Sequence, residues 1–349
     1  MTTADRNQSN GRTSGGPARR RPTGADVARE AGVSRATVSY VLSGRPKHRI
    51  PPSTADRVKA AALRLGYTPS ATARALKLGR TDVVVGLLPD WPIGHTTGRV
   101  LELLATEFEA AGLTFMAHLG THSGPAWAPG TWRGVSPVGI VSIEPMSPAN
   151  VAAILADGVV VEQWFTEKDV TDGGPAGRSF RGVGRAQVEY LASIGHTRLG
   201  YAYPADPRVR PFADARLEGA REACLRLGLG APTTETVGLD LVAASRAVSH
   251  WTNHKPAVTA VCAYNDEVAM AILAAAEALN VGVPERLAVI GVEDIPTAPF
   301  AHPPLTSIAL DNRPHARFVV ASLAAKLRGD DPPTPPAGAD HRIVVRAST

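Results

Sequence analysis

The stretch GADVAREAGVSRATVSYVLS, residues 24–43, decides the architecture of the N-terminal part of the chain. Four of its residues occupy its fifth, ninth, fifteenth and eighteenth positions: Ala28, Gly32, Val38 and Val41. They supply a small residue where two helices approach, a turn residue that tolerates positive φ, and apolar residues that wedge the second helix against the first. This spacing predicts a helix-turn-helix rather than an ordinary helical hairpin.

Further helical patterns follow this motif. Residues 51–53 begin a third helix, with apolar residues on one face, which Gly66 ends. We therefore predict an all-α headpiece over residues 22–69. It follows a basic arm over 1–21, whose Gly, Ser and Arg content predicts disorder. Residues 70–81 are predicted to form a short helix and linker, which is marginally stable alone.

The charge of the chain is unevenly distributed. Residues 1–81 contain 16 Lys and Arg against four Asp and Glu, whereas residues 82–349 contain 21 against 28. A basic head on an acidic body predicts that the head meets a polyanion and that the body repels it. The alternative is a basic tail that only aids solubility.

Cysteine content and hydropathy restrict the class of protein. Cys224 and Cys262 are the two cysteines in the sequence, which excludes a disulfide framework and a four-cysteine metal site. The N-terminal arginines precede no apolar signal-peptide core, and no apolar run reaches the ~20 residues of a membrane span. We expect a cytoplasmic protein with no membrane partner, metal or cofactor.

Beyond residue 81 strand and helix patterns alternate. Strands are predicted at 83–88, 115–118, 138–143, 159–161, 199–202, 258–263, 287–292 and 343–345. Helices are predicted between them at 97–111, 148–156, 185–194, 214–227 and 265–279. This alternation predicts an α/β fold with parallel sheets covered by helices, and the number of strands suits two sheets better than one.

The sequence resembles the LacI/GalR family of bacterial repressors. The match is specific over the headpiece, at residues 26–34, 37–39, 41–44, 57–58, 60–62, 65–67, 69, 73–74 and 76. It continues in the body at residues 195–199, 216–219, 265–269 and 303–308. Residues 82–180 match mostly in outline.

This resemblance implies a particular domain organisation. Residues 82–349 would form a periplasmic-binding-protein-like core for effector binding and dimerisation. Its N-lobe would comprise about 82–179 and 309–329, and its C-lobe about 180–308 and 330–349. The chain would act as a homodimer, because two headpieces match the symmetry of a pseudo-palindromic double-stranded DNA operator.

The resemblance also assigns roles in DNA binding. The second helix would lie in the major groove, where three residues would read bases: Arg35, Ala36 and Tyr40. Arg35 can bond bidentately to guanine, whereas Ala36 offers only a methyl contact. Four residues are better suited to phosphate contacts, which orient without specifying sequence: Thr23, Thr37, Ser39 and Arg49.

Residues 70–78 resemble the family's hinge helix, two copies of which pair in the minor groove. Four residues would enter or flank that groove: Ala73, Arg74, Leu76 and Lys77. Leu76 would act as the apolar wedge that kinks the DNA. The alternative is that Leu76 is a linker residue that packs on its own domain.

A small-molecule site is expected between the lobes, at the carboxyl ends of parallel strands. Arg216, Asn265 and Glu293 match family positions that bind the effector, a sugar, nucleoside or related metabolite. Three weaker candidates are Asp90, Trp91 and Trp164, of which the tryptophans equally suit core packing.

Four departures from the family pattern affect this site. Glu293 replaces the usual Asp, the Asp typical after the strand near 159–161 is replaced within 162–164, and Leu310 stands where Gln is common. The aromatic pair that usually follows the first strand is missing from 92–95. An ordinary hexose site is therefore not expected.

Other classes of protein were weighed against this interpretation. A regulator that has lost its effector response is one alternative. A small-molecule-binding protein or enzyme with an appended DNA-binding head is another. Gly182 and Gly184 match part of a dinucleotide fingerprint, but Gln187 replaces its third glycine. The sequence therefore favours a non-enzymatic regulator, most simply a repressor.

Overall fold

The computed structural model describes residues 22–42, 50–67, 81–120, 132–165, 175–336 and 340–349. Two compact units are present, Met1–Gly79 and Arg80–Thr349. Arg49 and the four predicted hinge residues lie outside the described residues: Ala73, Arg74, Leu76 and Lys77. The predictions for them therefore stay predictions.

The N-terminal unit contains three helices, α1 (Gly24–Ala31), α2 (Arg35–Leu42) and α3 (Pro52–Leu65). Gly32 has φ 65°, and its N–H bonds the carbonyls that end α1, so the turn needs the left-handed backbone that glycine tolerates. Ala28 and Val38 are buried where α1, α2 and α3 meet. The predicted helix-turn-helix is confirmed.

The C-terminal unit contains two sheets. Its elements, in chain order, are β1 (Val83–Leu88), α4 (His95–Ala110), β2 (Thr114–Leu119), β3 (Gly139–Ser142), α5 (Pro148–Ala156), β4 (Val160–Gln163), α6 (Pro175–Ser193), β5 (Leu199–Pro204), α7 (Arg210–Arg226), β6 (Thr233–Val237), α8 (Leu241–Asn253), β7 (Ala260–Ala263), α9 (Asp266–Ala278), β8 (Ala288–Glu293), β9 (Thr306–Asp311), α10 (Arg313–Arg328) and β10 (Asp340–Val344).

A four-stranded sheet defines the N-lobe and a six-stranded sheet the C-lobe. Their strand orders are β2-β1-β3-β4 and β10-β9-β8-β7-β5-β6. Every pairing is parallel except that of β10 with β9. The prediction of two parallel-rich sheets is confirmed, and in each the strands lead into clusters of buried aliphatic side chains.

The chain crosses between the lobes more than once. After β9 in the C-lobe sheet it enters α10, which packs on β4 and α4 of the N-lobe. It then returns to the C-lobe as β10, which lies against β9. No helix in the described part of the chain is long and apolar enough to cross a lipid bilayer.

Helix α6 begins ten residues before the position expected from the sequence, and it contains Gly182 and Gly184. A Cβ added at Gly184 would lie 1.9 Å from the backbone oxygen of Arg216 on α7. The glycines therefore belong to a close helix–helix contact and not to a phosphate-binding turn after a strand.

This contact generates a stability prediction. Gly184→Ala should lower the free energy of unfolding by on the order of 1–3 kcal/mol, because α7 must move to admit the methyl group. All five tryptophans lie in the C-terminal unit, so tryptophan fluorescence in urea reports its unfolding.

Gly182→Ala is the matched control in the same helix. There the added Cβ would meet only His341 Cε1, at an ordinary 3.8 Å. Helix propensity should raise its stability by up to about 1 kcal/mol. Equal effects of the two substitutions would contradict the close contact.

Candidate functional site

The exposed face of α2 carries the residues predicted to read bases. Arg35, Ala36 and Tyr40 are exposed, whereas Val38 on the opposite face is buried. The helix has no acidic residue in its first turn. No carboxylate in this turn would therefore repel a phosphate near the N-terminus of α2.

The residues predicted to contact phosphate differ in their surroundings. Ser39 is exposed, while Thr37 is half-buried and its Oγ1 lies 2.9 Å from Ser34 Oγ in the cap of α2. Thr23 caps α1, and its Oγ1 donates to Asp26 Oδ2 at 2.7 Å. A phosphate bound by the Thr23 hydroxyl would therefore compete with a carboxylate.

A cavity of about 500 Å³ lies between the two lobes of the C-terminal unit. Five of the six predicted effector residues line it: Trp91, Trp164, Arg216, Asn265 and Glu293. The sixth, Asp90, does not belong to the lining, but it pairs with Arg208, which does, at 3.6 Å. Sequence spacing alone would not have joined residues so far apart in the chain.

Arg216 projects from α7 and is buried in the cavity wall. Its Nη1 donates to the backbone oxygen of Tyr264 at 2.5 Å, and its guanidinium carbon lies 4.7 Å from the centroid of the Tyr264 ring. Its Nη2 lies 4.0 Å from Glu293 Oε1. Its Nε is buried and has no hydrogen-bond partner among the residues that the structure describes. Arg216 also belongs to the lining of the cavity.

Glu293 ends β8 and faces the cavity. Burial raises the pKa of its carboxyl, which Arg216 and a hydrogen bond from Thr96 of α4 oppose. Its backbone has φ 105°, which is costly for a residue other than glycine. Because Thr96 belongs to the N-lobe, Glu293 links the two lobes across the cavity.

Asp266 holds the strained turn that presents Glu293. Its Oδ1 accepts from Ser307 Oγ at 2.6 Å, and its Oδ2 accepts from the N–H of Ile295 at 2.8 Å. Asp294, the residue after Glu293, also has positive φ, and its carboxylate pairs with Arg346 at 2.6 Å. These bonds fix both ends of the turn.

Asn265 caps α9, since its Oδ1 accepts from the N–H of Val268 at 3.0 Å. Its side-chain NH₂ is the group that remains to donate toward the cavity. Trp164 is buried in the N-lobe, where it packs on His315 and also lines the cavity. Trp164 therefore both packs in the N-lobe core and lines the cavity.

The departures noted in the sequence fall in different places. Leu310 lines the cavity. Glu162 lies instead at the end of β4, where it is bonded to Ser322 and pairs with Lys326 at 2.9 Å. Gln163 accepts from the N–H of Met146. The last two side chains are thus engaged in N-lobe packing.

Sequence reasoning missed several lining residues: Thr96, Phe165, Phe180, Asp206, Arg208, Phe212, Tyr264, Glu267 and Asn312. Two of them carried a usable signal. Phe212 precedes Arg216 by one helical turn, and Tyr264 precedes Asn265 at the end of β7. The others reach the cavity only through tertiary packing.

Comparison with known proteins agrees with both units. Residues 25–70 match the family described as bacterial regulatory proteins, lacI family. Residues 188–349 match the periplasmic binding protein-like domain. The chain is 30% identical over 333 residues to the HTH-type transcriptional regulator CelR of Thermobifida fusca, covering 89% of this chain and 94% of the relative.

Two solved structures share the fold. The lac repressor dimer bound to operator and the anti-inducer ONPF has a TM-score of 0.74 at 20% identity, covering 94% of this chain and 99% of that one. The complex of the regulator CelR with cellobiose has a TM-score of 0.59 at 22% identity, covering 94% and 100%.

A helix-turn-helix joined to a two-lobed, periplasmic-binding-protein-like unit defines a class of DNA-binding transcriptional regulator. The chain belongs to the LacI family within that class. The relatives named above are transcriptional regulators and not enzymes.

Asp266 generates a prediction on pH dependence. Burial, with the nearby Glu293 and Asp294 carboxylates, raises its pKa to about 7, against the bonds from Ser307 and Ile295. The folded protein therefore binds more protons at this site than the unfolded chain between about pH 4 and pH 7, so this carboxyl lowers stability as pH rises through that range.

Asp266→Asn removes this titration. Urea unfolding followed by tryptophan fluorescence at about pH 5 and about pH 8 should show the variant gaining stability, relative to the unmodified protein, at the higher pH. Glu218→Gln, at an exposed helical carboxyl, controls for loss of one charge. An Asp266→Asn difference that is the same at both pH values would refute the prediction.

Proposed function

We propose that the protein is a homodimeric repressor that binds a pseudo-palindromic operator and responds to a small molecule bound in the interlobe cavity. The exposed α2 face supports the first part, since Arg35 and Tyr40 stand where a major groove can receive them. The cavity with the buried Arg216 supports the second part.

The single observation that carries control by an effector is the open cavity between the lobes, whose lining contains the charged pair Arg216 and Glu293. A cavity of about 500 Å³ is large enough for a small metabolite. The guanidinium and the carboxyl give that metabolite a donor and an acceptor. A regulator that has lost its effector response is the alternative, and operator affinity that responds to no bound ligand would favour it.

Control requires that the ligand prefer one arrangement of the lobes. The Thr96–Glu293 bond crosses the cavity from α4 to β8, so a ligand that bonds Glu293 competes with or reinforces that contact. By linkage, operator affinity changes on ligand binding if the operator also prefers one of these arrangements. The predicted hinge over 70–81 would carry this change to paired headpieces.

The test begins with operators selected from random duplexes by the full-length protein. We expect selected sites to contain two inverted half-sites, and their affinity to fall steeply with salt because phosphate contacts supply much of the binding. A metabolite that stabilises the protein in thermal unfolding should shift operator affinity. Single half-sites, or ligands that bind without any such shift, would refute the corresponding part of the proposal.

Arg35→Ala tests the base-reading role. We expect it to weaken the selected operator by about 1–3 kcal/mol and to relax the preference at one base pair of each half-site. Arg57→Ala, an equal loss of charge at an exposed position on α3, is the control. It should weaken operator and random DNA alike, and the same behaviour by Arg35→Ala would remove the base-reading assignment.

A further inference from the structure

The two walls of the interlobe cavity differ in polarity. Among the residues that the structure describes, the charged lining residues all come from the C-lobe: Asp206, Arg208, Arg216, Glu267 and Glu293. Among the described lining residues of the N-lobe and of the crossing into α10, Thr96, Thr97 and Asn312 have polar side chains, and Trp91 and Trp164 each carry one indole N–H donor. Thr97 Oγ1 donates to the backbone oxygen of Pro92, and Thr96 bonds Glu293. The N-lobe wall therefore offers a ligand few hydrogen-bonding groups.

Aromatic side chains take the place of polar ones. Six line the cavity: Trp91, Trp164, Phe165, Phe180, Phe212 and Tyr264. They are a third of the eighteen aromatic residues in the chain, although the cavity occupies a small part of it. This concentration indicates a ligand that aromatic rings bind.

The rings form a continuous cluster across the cleft. Trp91 of the N-lobe meets Phe212 of α7 edge-on at 4.7 Å between ring centroids. Phe212 meets Phe180 of α6 at 5.0 Å, and Phe180 meets Phe165 of the N-lobe at 5.4 Å. A flat apolar ring in the cavity that packs against this cluster would contact rings from both lobes.

A free sugar fits this wall poorly. Its hydroxyls are distributed around the whole ring, so those that face the N-lobe would lose water and find few partners. Each such group weakens binding, because a buried hydroxyl without a partner keeps its full desolvation cost. Leu310 adds a further apolar side chain to the lining.

The C-lobe wall selects the other end of the ligand. Arg216 donates and Glu293 accepts, and their nearest charged atoms are 4.0 Å apart. A hydroxyl can accept from the first and donate to the second. Three carboxyl groups against two guanidinium groups among the described lining residues disfavour an anionic ligand. The polar end is therefore a neutral hydroxylated group.

We propose that the effector is a neutral compound in which an aromatic ring is joined to a hydroxylated end, and not a free sugar. The ring lies among Trp91, Phe180 and Phe212, and the hydroxylated end lies between Arg216 and Glu293. This inference rests on the proposed function, since it assigns a chemical class of ligand to the same cavity.

The test uses the full-length protein and matched probes: the phenyl and methyl β-glycosides of glucose, galactose, xylose and ribose, the four free sugars, benzyl alcohol, catechol and benzoate. Tryptophan fluorescence and saturation-transfer NMR measure binding. At least one phenyl glycoside should bind about tenfold or more tightly than its methyl partner, because the ring buries apolar area in the aromatic cluster. Benzoate should not compete.

Two kinds of result would overturn the proposal. One is binding of methyl glycosides or free sugars as tight as that of the phenyl compounds. The other is the absence of binding by every aromatic probe.

Variants locate the site within the cavity. Phe212→Leu should reduce the phenyl-over-methyl ratio severalfold with little change for the methyl glycoside. Phe300→Leu makes the same substitution at a side chain that is 84% exposed and outside the lining, and should leave the ratio unchanged. Leu310→Gln should also reduce the phenyl-over-methyl ratio, but by strengthening binding of the methyl glycoside. If the phenyl-over-methyl ratio of all three variants equals that of the unmodified protein, this cavity is excluded as the site.

Operator binding by the same preparations separates this proposal from the one on which it rests. If the protein binds the selected operator but no aromatic probe, the proposed ligand class is wrong, and the proposal of a DNA-binding regulator is kept. If an aromatic probe binds but operator affinity does not respond, the ligand class stands and effector control is wrong.

Discussion

Burial of the Arg216 guanidinium sets the constraint that the rest of the C-terminal unit satisfies. A cation at this depth needs acceptors, which the backbone oxygen of Tyr264 and the carboxyl of Glu293 supply. To deliver it there, α7 must approach α6 so closely that only glycine fits at position 184. To receive it, the chain after β8 must turn through positive φ at Glu293, which the bonds of Asp266 hold in place.

These features explain why the cavity can be both rigid on one side and adaptable on the other. The C-lobe wall is built from short, buried hydrogen bonds and a close helix contact, so its polar groups are preorganised. The N-lobe wall is built from aromatic rings that meet the opposite lobe edge-on. These ring contacts join the two lobes, and under the proposed function a ligand ring that replaced them would couple binding to the arrangement of the lobes.

Prediction from the sequence was accurate for the elements whose determining residues lie close together in the chain. The headpiece followed from residues 24–43, because every requirement of a helix-turn-helix lies within that stretch. Strands β1, β3, β5, β7 and β8 followed from buried aliphatic runs. By contrast, β6 (TTETV) lacks such a run, since most of its residues are only half-buried. The start of α6 was wrong because its glycines serve a contact with another helix, which local propensity does not register.

For the candidate site, the sequence indicated Arg216, Asn265 and Glu293 through resemblance, but not the aromatic cluster. Phe165, Phe180 and Phe212 come from different elements, and nothing in their spacing joins them before the lobes are packed. Asp90 lies outside the cavity lining and pairs with Arg208, which belongs to it. Its contact with an effector stays a prediction.

The repeated crossing of the chain between lobes has a consequence for folding. The N-lobe lacks α10 until residues 313–328 are available, and the C-lobe sheet lacks its antiparallel edge until β10 follows. Neither lobe can therefore be completed as a separate N-terminal piece during synthesis. Their joint dependence on distant segments predicts slow folding of the C-terminal unit, whereas the three local helices of the headpiece can form early.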